Sequence, residues 1–454
     1  MREPAGPAKE GREAALRALY RVERDGAFLN LALPPLLGNL EARERALARE
    51  LATGTVRRLN TLDWSLGLYL KQPLKKMTVW IRNLLRLGAY QLLYLERIPD
   101  HAAVDEAVRL AHRYGHRGVA GLVNAVLRRL AASKGELPWP DRKKQPLEHL
   151  ALLSSHPRWL VERWSRRFGL EEARKLCEAN NVPPPLALRP NTLRTSPGAL
   201  VEKMNAAGIT AALSPRLPGS VLLEPAGPVT ELPGYREGLF SVQGESSALV
   251  APLLQPQPGE EVIDLCSAPG GKSTHLAELM EDRGMVTAVD LHPHRLKMVQ
   301  HAAERLGLKS IKTVAADGTA IGRAGLSPPH RLLVDAPCSG LGVIRRLPEL
   351  KWRRRPADLE RLARTQLALL QAGAELLRPG GMLLYSVCTT EPGETVAAAE
   401  ALEAACPRLV PQPLEPFLPP ALQSGLLSPG RLFLHPHRHG LDGFFITLWS
   451  KQQG

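Results

Sequence analysis

The regular alternation of short apolar runs with amphipathic helical stretches after residue 244 constrains the fold of this chain more than any other feature. The apolar runs cover residues 259–265, 285–290, 311–317, 331–337 and 381–388, and helical periodicity fills the intervals, most clearly over 293–306 and 356–377. Strands separated by helices predict a parallel sheet with right-handed crossovers, a doubly wound, Rossmann-like α/β fold. Such a sheet binds its ligand at the carboxyl ends of its strands. Residues 430–449 are predicted to form an edge hairpin with its turn or loop at 440–443.

The part of the 454-residue chain that precedes this domain has a different pattern. Over residues 1–135 apolar residues recur at three- and four-residue spacings, which predicts an all-α bundle. Residues 136–149 contain three prolines and a charge cluster and are predicted to be a linker. Residues 150–243 are predicted to be a small α+β segment, and 244–454 the α/β domain.

Charge is distributed unevenly along the chain. The formal net charge is +14, and through residue 134 there are 23 Lys and Arg against 13 Asp and Glu, which places +10 of the total in the helical region. A single arginine on a helix usually belongs to a solvated face. An excess of this size favours a polyanionic partner such as nucleic acid.

The cysteine pattern and the N-terminus exclude several classes of protein. The five cysteines are far apart and include no CxxC pair, so neither a metal site nor a disulfide framework is indicated. The N-terminus carries charges where a signal peptide needs an apolar core, and no stretch reaches the length of a membrane span. We therefore expect a cytoplasmic protein without a membrane partner.

Polar residues stand where the predicted strands end, namely Asp264, Asp290, Asp317, Asp335 and Cys388. The glycine-containing loop 266–272 follows the first strand, but it lacks the first glycine of a P-loop, and no GxGxxG dinucleotide motif is present. With these two ligand classes excluded, the loop is consistent with a nucleoside ligand that has no pyrophosphate, such as S-adenosylmethionine. Asp290 is suited to its ribose and Asp317 to its adenine amine, although each Asp could instead be a helix cap or a turn residue.

Two cysteines are candidates for covalent catalysis. Cys338 lies in a loop framed by Pro and Gly, and Cys388 ends the next predicted strand. If these two strands are adjacent and parallel, both thiols lie at the same edge of the sheet. A thiolate can add to C6 of a pyrimidine and make C5 nucleophilic, and Asp335 is placed to contact the ring N3. Spacing alone does not rank the two thiols. Cys177 and Cys406 lie in helical patterns and are interpreted as small core residues.

Residues 344–356 contain six basic residues, one acid and Trp352. Basic residues with an aromatic at the rim of a site suit a phosphate backbone and an unstacked base, whereas a solvated helix start is the alternative.

At these residues the chain resembles the Sun family of S-adenosylmethionine-dependent RNA 5-methylcytosine methyltransferases. The matching motifs are DLCSAPGGKS, AVDLHPHRL, AADGT, VDAPCSGLGVIRR and YSVCT, in the order of the family and within residues 240–454. Ser267 stands where alanine is common, and SVCTT replaces a more usual small-Thr-Cys-Ser; neither change removes a reacting group.

The resemblance implies a role for each matching residue. Cys388 is the nucleophile, and Cys338 resolves the covalent adduct. The residues that contact S-adenosylmethionine are Cys266, Ser267, Ala268, Pro269, Gly270, Gly271, Lys272, Asp290, Asp317 and Asp335.

The first 131 residues resemble the antitermination factor NusB, notably in DEAVRLAHRYG and GLVNAVLRRL. This fusion points to the branch of the family that modifies small-subunit (16S) ribosomal RNA, with the helical domain and residues 150–243 contacting RNA. No DNA partner is expected, and the chain is expected to be a monomer. The alternatives are an enzyme acting on another RNA such as tRNA, a DNA cytosine methyltransferase, and a non-catalytic RNA-binding or antitermination protein. The presence of both thiols weighs against the non-catalytic alternative.

Overall fold

The computed structural model describes residues 7–224 and 227–453, which pack as two compact units. The first unit contains the chain up to Val182 together with Arg346–Arg353. The second contains Pro183–Arg345 together with the chain from Arg354 onward. No helix within the described ranges combines the length and the apolar character that a membrane span requires.

The first unit is built of α-helices, as the periodicity predicted. Leu16, Leu51 and Leu84 are fully buried in its core, where Tyr20 stacks on Trp80 with ring centroids 3.8 Å apart. The helices are α1 (Gly11–Arg24), α2 (Leu29–Ala32), α3 (Ala42–Arg57), α4 (Leu59–Gly67), α5 (Val79–Tyr94), α6 (Asp100–Tyr114), α7 (Arg117–Ser133), α8 (Pro146–Leu153), α9 (Arg158–Phe168) and α10 (Leu170–Asn181).

The packing of α8, α9 and α10 within the first unit differs from the sequence-based division, which assigned residues 150–243 to one segment. Segments that pack together in one compact unit need not fold as one independent domain. The predicted domain boundaries therefore stay predictions.

The second unit begins with a small antiparallel sheet. Its strands are β1 (Leu186–Pro190), β2 (Ala211–Leu213), β3 (Val221–Leu223) and β4 (Phe240–Val242), in the order β2-β3-β1-β4, with α11 (Pro197–Ala206) between β1 and β2. Leu188, Leu200 and Phe240 are fully buried between the helix and the sheet. This is the small α+β fold that the sequence predicted.

The large sheet has the predicted doubly wound topology. Its parallel part contains β5 (Glu261–Asp264), β6 (Met285–Asp290), β7 (Ile311–Ala315), β8 (Arg331–Asp335) and β9 (Met382–Val387), in the order β7-β6-β5-β8-β9. The order reverses between β5 and β8, which is where such sheets bind ligands. Leu332, Leu333 and Val334 are fully buried, because helices cover both faces of a parallel sheet.

The remaining helices and strands of the second unit surround and extend this sheet. The helices are α12 (Glu245–Ala248), α13 (Val250–Leu254), α14 (Gly271–Leu279), α15 (Pro293–Leu306), α17 (Pro356–Leu376), α18 (Val396–Ala405) and α19 (Pro436–His439), whereas α16 (Leu350–Arg353) belongs to the first unit. The strands are β10 (Leu409–Pro411), β11 (Leu426–Ser428), β12 (Arg431–Leu434) and β13 (Phe444–Lys451), which continue the sheet beyond β9 in the antiparallel sense.

The predicted C-terminal hairpin is present as β12 and β13, paired from Arg431↔Thr447 to Leu434↔Phe444. Its connection is longer than the predicted GLDG turn, because α19 forms before Gly440. β13 also pairs with β9, so it lies inside the sheet and not at its edge.

Candidate active site

The carboxyl edge of the parallel sheet collects the residues that the sequence singled out. Asp264, Asp290 and Asp335 are the last residues of β5, β6 and β8, and Cys388 follows the last residue of β9. Asp317 lies two residues beyond the end of β7. Strand ends in a parallel sheet meet at one edge, so the alternating pattern was sufficient to bring these residues together.

The loop over residues 266–272 joins β5 to α14 and brings backbone close to this edge. The Ser267 N–H donates to the Val289 carbonyl at 2.9 Å, and the Gly270 N–H donates to the Ser267 carbonyl at 2.8 Å. Gly270 has φ +106°, and a Cβ there would lie 3.0 Å from Val299 Cα. Only glycine fits this position without strain, so the loop can pack closely against α15 and lead directly into the start of α14.

Asp264 is buried beneath this loop. The Ser273 hydroxyl donates to its Oδ2 at 2.7 Å, and burial raises the pKa of the Asp264 carboxyl to about 7. Its position indicates support of the loop rather than contact with a ligand.

The two acids proposed for the nucleoside differ in exposure. Asp290 is 4% exposed, accepts from the His292 N–H at 3.0 Å and pairs with Arg295 at 3.1 Å. Asp317 is exposed and caps a short 3₁₀ helix by accepting from the Thr319 N–H at 2.9 Å. The capping role that the sequence left open for Asp317 is therefore present, and its outward position leaves it accessible to a ligand as well.

Asp335 is the centre of a polar cluster between β8 and β9. The Lys272 ammonium donates to Asp335 Oδ2 at 2.6 Å, and the Ser386 hydroxyl donates to Oδ1 at 2.7 Å. Lys272 Nζ also lies 5.6 Å from the ring centroid of Phe444. The sequence assigned Lys272 to the cofactor loop but did not predict that it pairs with Asp335, and Ser386 was missed.

The two candidate thiols are neighbours, with Cys338 Sγ and Cys388 Sγ 3.3 Å apart. Both are free cysteines. The hydrogen bond with Cys388, together with burial, raises the pKa of the Cys338 thiol well above its usual range. The Gly342 N–H donates to the Cys388 carbonyl at 3.0 Å, and the Gly443 N–H donates to the Gly342 carbonyl at 2.8 Å. The C-terminal connection thus supports the Cys388 backbone through Gly342.

Sequence reasoning also missed the polar residues behind the thiols, Glu394, Gln366 and Arg354. Arg354 donates to the Ser339 carbonyl at 2.7 Å and to the Cys338 carbonyl at 3.2 Å. Glu394 accepts from the Ser339 N–H at 2.7 Å. The motif YSVCTTEPGE contains Glu394, but nothing in its spacing indicates that its partner follows the other cysteine.

The interpretation of residues 344–356 as an exposed RNA-binding rim is wrong for at least three of its members. Arg345 is 7% exposed and donates to the Gly440 carbonyl at 2.9 Å. Lys351 is fully buried in the helical unit, and burial lowers the pKa of its ammonium well below the usual value. The Trp352 indole donates to the Val56 carbonyl at 2.7 Å and packs against the helical core. Both side chains anchor the segment Arg346–Arg353 in the helical unit.

The two remaining cysteines agree in part with the core interpretation. Cys177 is fully buried in α10, and burial raises the pKa of its thiol to about 12. Cys406 is half-buried at the end of α18.

Three protein-family profiles match successive parts of the chain. The NusB family matches residues 9–132, the RsmF/B-like methyltransferase ferredoxin-like domain matches 156–230, and the 16S rRNA methyltransferase RsmB/F family matches 251–450.

Similar proteins cover nearly the whole chain. Probable ribosomal RNA small subunit methyltransferase B of Bacillus subtilis is 40% identical over 97% of this chain and 98% of its own length. Ribosomal RNA small subunit methyltransferase B of Pseudomonas putida is 38% identical over 97% and 98%.

Two crystal structures also resemble the chain at 25% identity. PH0851 has a TM-score of 0.85 over 99% of this chain and 100% of its own, and NSun6 from Pyrococcus horikoshii with SFG has a TM-score of 0.59 over 66% and 100%.

Proposed function

The chain belongs to the ribosomal RNA small subunit methyltransferase B family, and from that premise we propose that it methylates C5 of a specific cytosine in 16S ribosomal RNA. The methyl donor is S-adenosylmethionine, and the reaction passes through a covalent cysteine adduct. The observation that carries this proposal is the pair of thiols 3.3 Å apart at the carboxyl edge of the parallel sheet, beside the Lys272–Asp335 pair.

The residues at the switch point between β5 and β8 fit the methyl donor. The loop 266–272 leads into the start of α14 at Gly271, where the first backbone N–H groups of a helix suit a polar ligand group. Asp290 is a buried acid at the end of β6, where ribose hydroxyls are bound in doubly wound sheets. When bound, the donor supplies an electrophilic methyl group. A relative of this chain was solved with SFG, an S-adenosylmethionine analogue, which supports this assignment.

The first half of the reaction is addition to the base. The Cys388 thiolate forms a bond to C6 of cytosine, and the electron pair of the C5–C6 double bond becomes available at C5. Asp335 contacts the ring N3 as an acid and gives it a proton as negative charge moves there, and this proton returns to Asp335 once C5 carries the methyl group. Lys272 and Ser386 hold the Asp335 carboxyl in place from two sides. C5 then takes the methyl group.

The second half releases the product. C5 now carries both the methyl group and its original hydrogen, so Cys338 removes that proton as a base. The C5–C6 double bond forms again, the bond from C6 to Cys388 Sγ breaks, and Cys388 leaves as a thiolate. The assignment of attack to Cys388 follows the family, whereas the 3.3 Å separation permits either thiol to reach the same ring.

The helical unit supplies RNA affinity in this proposal. Residues 1–134 of this unit carry +10 of the +14 net charge, and basic side chains such as Arg128 and Arg129 are exposed on α7. The proposal also states that the chain acts as a monomer and does not bind DNA as a partner.

The test is a methyl-transfer assay with tritiated S-adenosylmethionine on 16S ribosomal RNA, total tRNA and duplex DNA. The proposal expects incorporation in 16S ribosomal RNA, at one position that bisulfite sequencing identifies as 5-methylcytosine. Incorporation confined to tRNA or DNA assigns another substrate, and a methylated position other than cytosine C5 contradicts the proposed chemistry.

A further inference from the structure

Glu394 is a fully buried carboxylate that joins the two cysteine loops. Its Oε1 accepts from the Ser339 N–H at 2.7 Å, and its Oε2 accepts from the Thr389 hydroxyl at 3.1 Å. Ser339 directly follows Cys338, and Thr389 directly follows Cys388. One side chain therefore holds the residue next to each thiol.

Further contacts make this connection rigid. The Ser339 and Thr389 hydroxyls are 2.8 Å apart, and both residues are fully buried. The Gln366 amide donates to Glu394 Oε1 at 3.1 Å and to the Pro337 carbonyl at 3.0 Å. A buried network in which several donors meet one carboxylate fixes the geometry of its members.

The same carboxylate lies in the electrostatic surroundings of Cys338. The hydrogen bond with Cys388, burial and the charge of Cys388 raise the pKa of the Cys338 thiol, and the negative charge of Glu394 raises it further. Burial raises the pKa of Glu394 itself, whereas its bonds from Ser339, Gln366 and Thr389 favour the ionised form.

Other titratable or charged groups also face this cluster. They are Cys388 and Tyr385 on the β9 side, Asp335 with Lys272 at the end of β8, and Arg354 before α17.

We propose that Glu394 is a positioning residue that fixes the separation of the two thiols and leaves the attack on C6 to Cys388 rather than Cys338. This inference rests on the proposed covalent mechanism and explains the ranking of the thiols, which spacing alone did not give. Once Cys388 Sγ is bonded to C6, it no longer carries charge. Cys338 then loses its proton to solvent more readily and can accept the proton from C5.

The experiment measures both thiols in the free enzyme, without RNA or methyl donor. Full-length wild type, Glu394→Gln and Glu403→Gln are treated with iodoacetamide across a pH series, and labelling at each cysteine is quantified by mass spectrometry. Glu403 is a matched control because it accepts from the Trp449 indole at 2.8 Å and pairs with Arg431 at 2.7 Å, without contact to either cysteine loop.

In the wild type and in Glu403→Gln, labelling of Cys338 is expected to need high pH, because the hydrogen bond with Cys388 and burial raise the pKa of the Cys338 thiol. In Glu394→Gln, the labelling profile of Cys338 is expected to move down by about one pH unit, because a nearby negative charge is removed. Single-turnover methylation of 16S ribosomal RNA by Glu394→Gln is expected to slow about 10-fold, through loss of one charge-assisted hydrogen bond.

If circular dichroism shows that Glu394→Gln is not folded, Thr389→Val tests the positioning role of Glu394 instead. It removes the hydroxyl that contacts both Glu394 and Ser339 and is expected to move the labelling profile of Cys338 to lower pH, as in Glu394→Gln. Unchanged labelling profiles and methylation rates in folded Glu394→Gln, or unchanged profiles in Thr389→Val, overturn the inference. Failure of the proposed function appears separately, as absence of methylation by the wild type, because the labelling comparison needs no methyl transfer.

Discussion

Substitution of Gly342 by alanine tests whether the backbone around Cys388 must be held as the structure has it. A Cβ at Gly342 would lie 2.0 Å from the Gly443 carbonyl oxygen, and ordinary contact begins at 3.4 Å. The two backbones must therefore separate by roughly 1.4 Å. This displacement breaks the 2.8 Å bond from the Gly443 N–H and strains the 3.0 Å bond from the Gly342 N–H to the Cys388 carbonyl.

The expected consequence is a misplaced nucleophile with an intact cofactor site. Misplacement of a reacting group by about 1 Å costs roughly 100-fold in rate, so Gly342→Ala should form the covalent RNA adduct about 100-fold more slowly than the wild type. Its affinity for S-adenosylmethionine should be unchanged, because the backbone bonds that hold the loop 266–272 run from Ser267 to Val289 and from Gly270 to Ser267.

The assay is rapid-quench measurement of adduct formation, with calorimetric titration of S-adenosylmethionine alongside. Gly393→Ala is the matched control, because a Cβ at Gly393 has nothing within 4 Å although it lies in the loop between Cys388 and Glu394. An adduct rate in Gly342→Ala equal to that of Gly393→Ala would refute the reasoning.

Three further predictions address the acids and the RNA surface. Burial raises the pKa of Asp264 from 3.8 to about 7, so wild-type stability falls as pH rises through that window. The unfolding free energy of Asp264→Asn relative to wild type should therefore grow with pH, by up to about 1.4 kcal/mol per unit, in urea denaturation; a pH-independent difference contradicts this. Asp290→Ala should weaken S-adenosylmethionine binding in calorimetry about 10-fold, by loss of a charged hydrogen bond, and unchanged affinity rejects the ribose assignment. Replacing Arg128 and Arg129 by Gln should reduce the log-log salt slope for single-stranded RNA by about 1.4, whereas an unchanged slope places them outside the RNA surface.

The sequence predicted the large sheet because its central strands are buried on both faces and therefore appear as continuous apolar runs. Val262 and Leu333 belong to such runs, and the structure confirms their parallel pairing through Ile263↔Leu332. The sequence motifs also predicted the family, which the similarity to known proteins confirms. The antiparallel insertion of β13 beside β9 was not predictable, because the local pattern of a hairpin is the same at an edge and inside a sheet.

The support of the thiols depends on partners that are far apart in the sequence. Glu394 contacts Ser339, 55 residues earlier in the chain, and the motif around each cysteine contains only half of this contact. For Lys351, by contrast, the prediction from the sequence was wrong. Its charge suggested an exposed RNA contact, but the side chain is buried, and composition gives no sign of which basic residues are covered.

The most direct test of the covalent mechanism compares the two cysteine variants on 16S ribosomal RNA with S-adenosylmethionine, followed by denaturing electrophoresis. Cys338→Ala can complete attack and methyl transfer but cannot release the product, so it is predicted to accumulate a protein–RNA adduct that survives denaturation. Cys388→Ala and the double variant are predicted to form none. An adduct in Cys388→Ala instead would reverse the two roles, and full methylation by both single variants would contradict covalent catalysis in this protein.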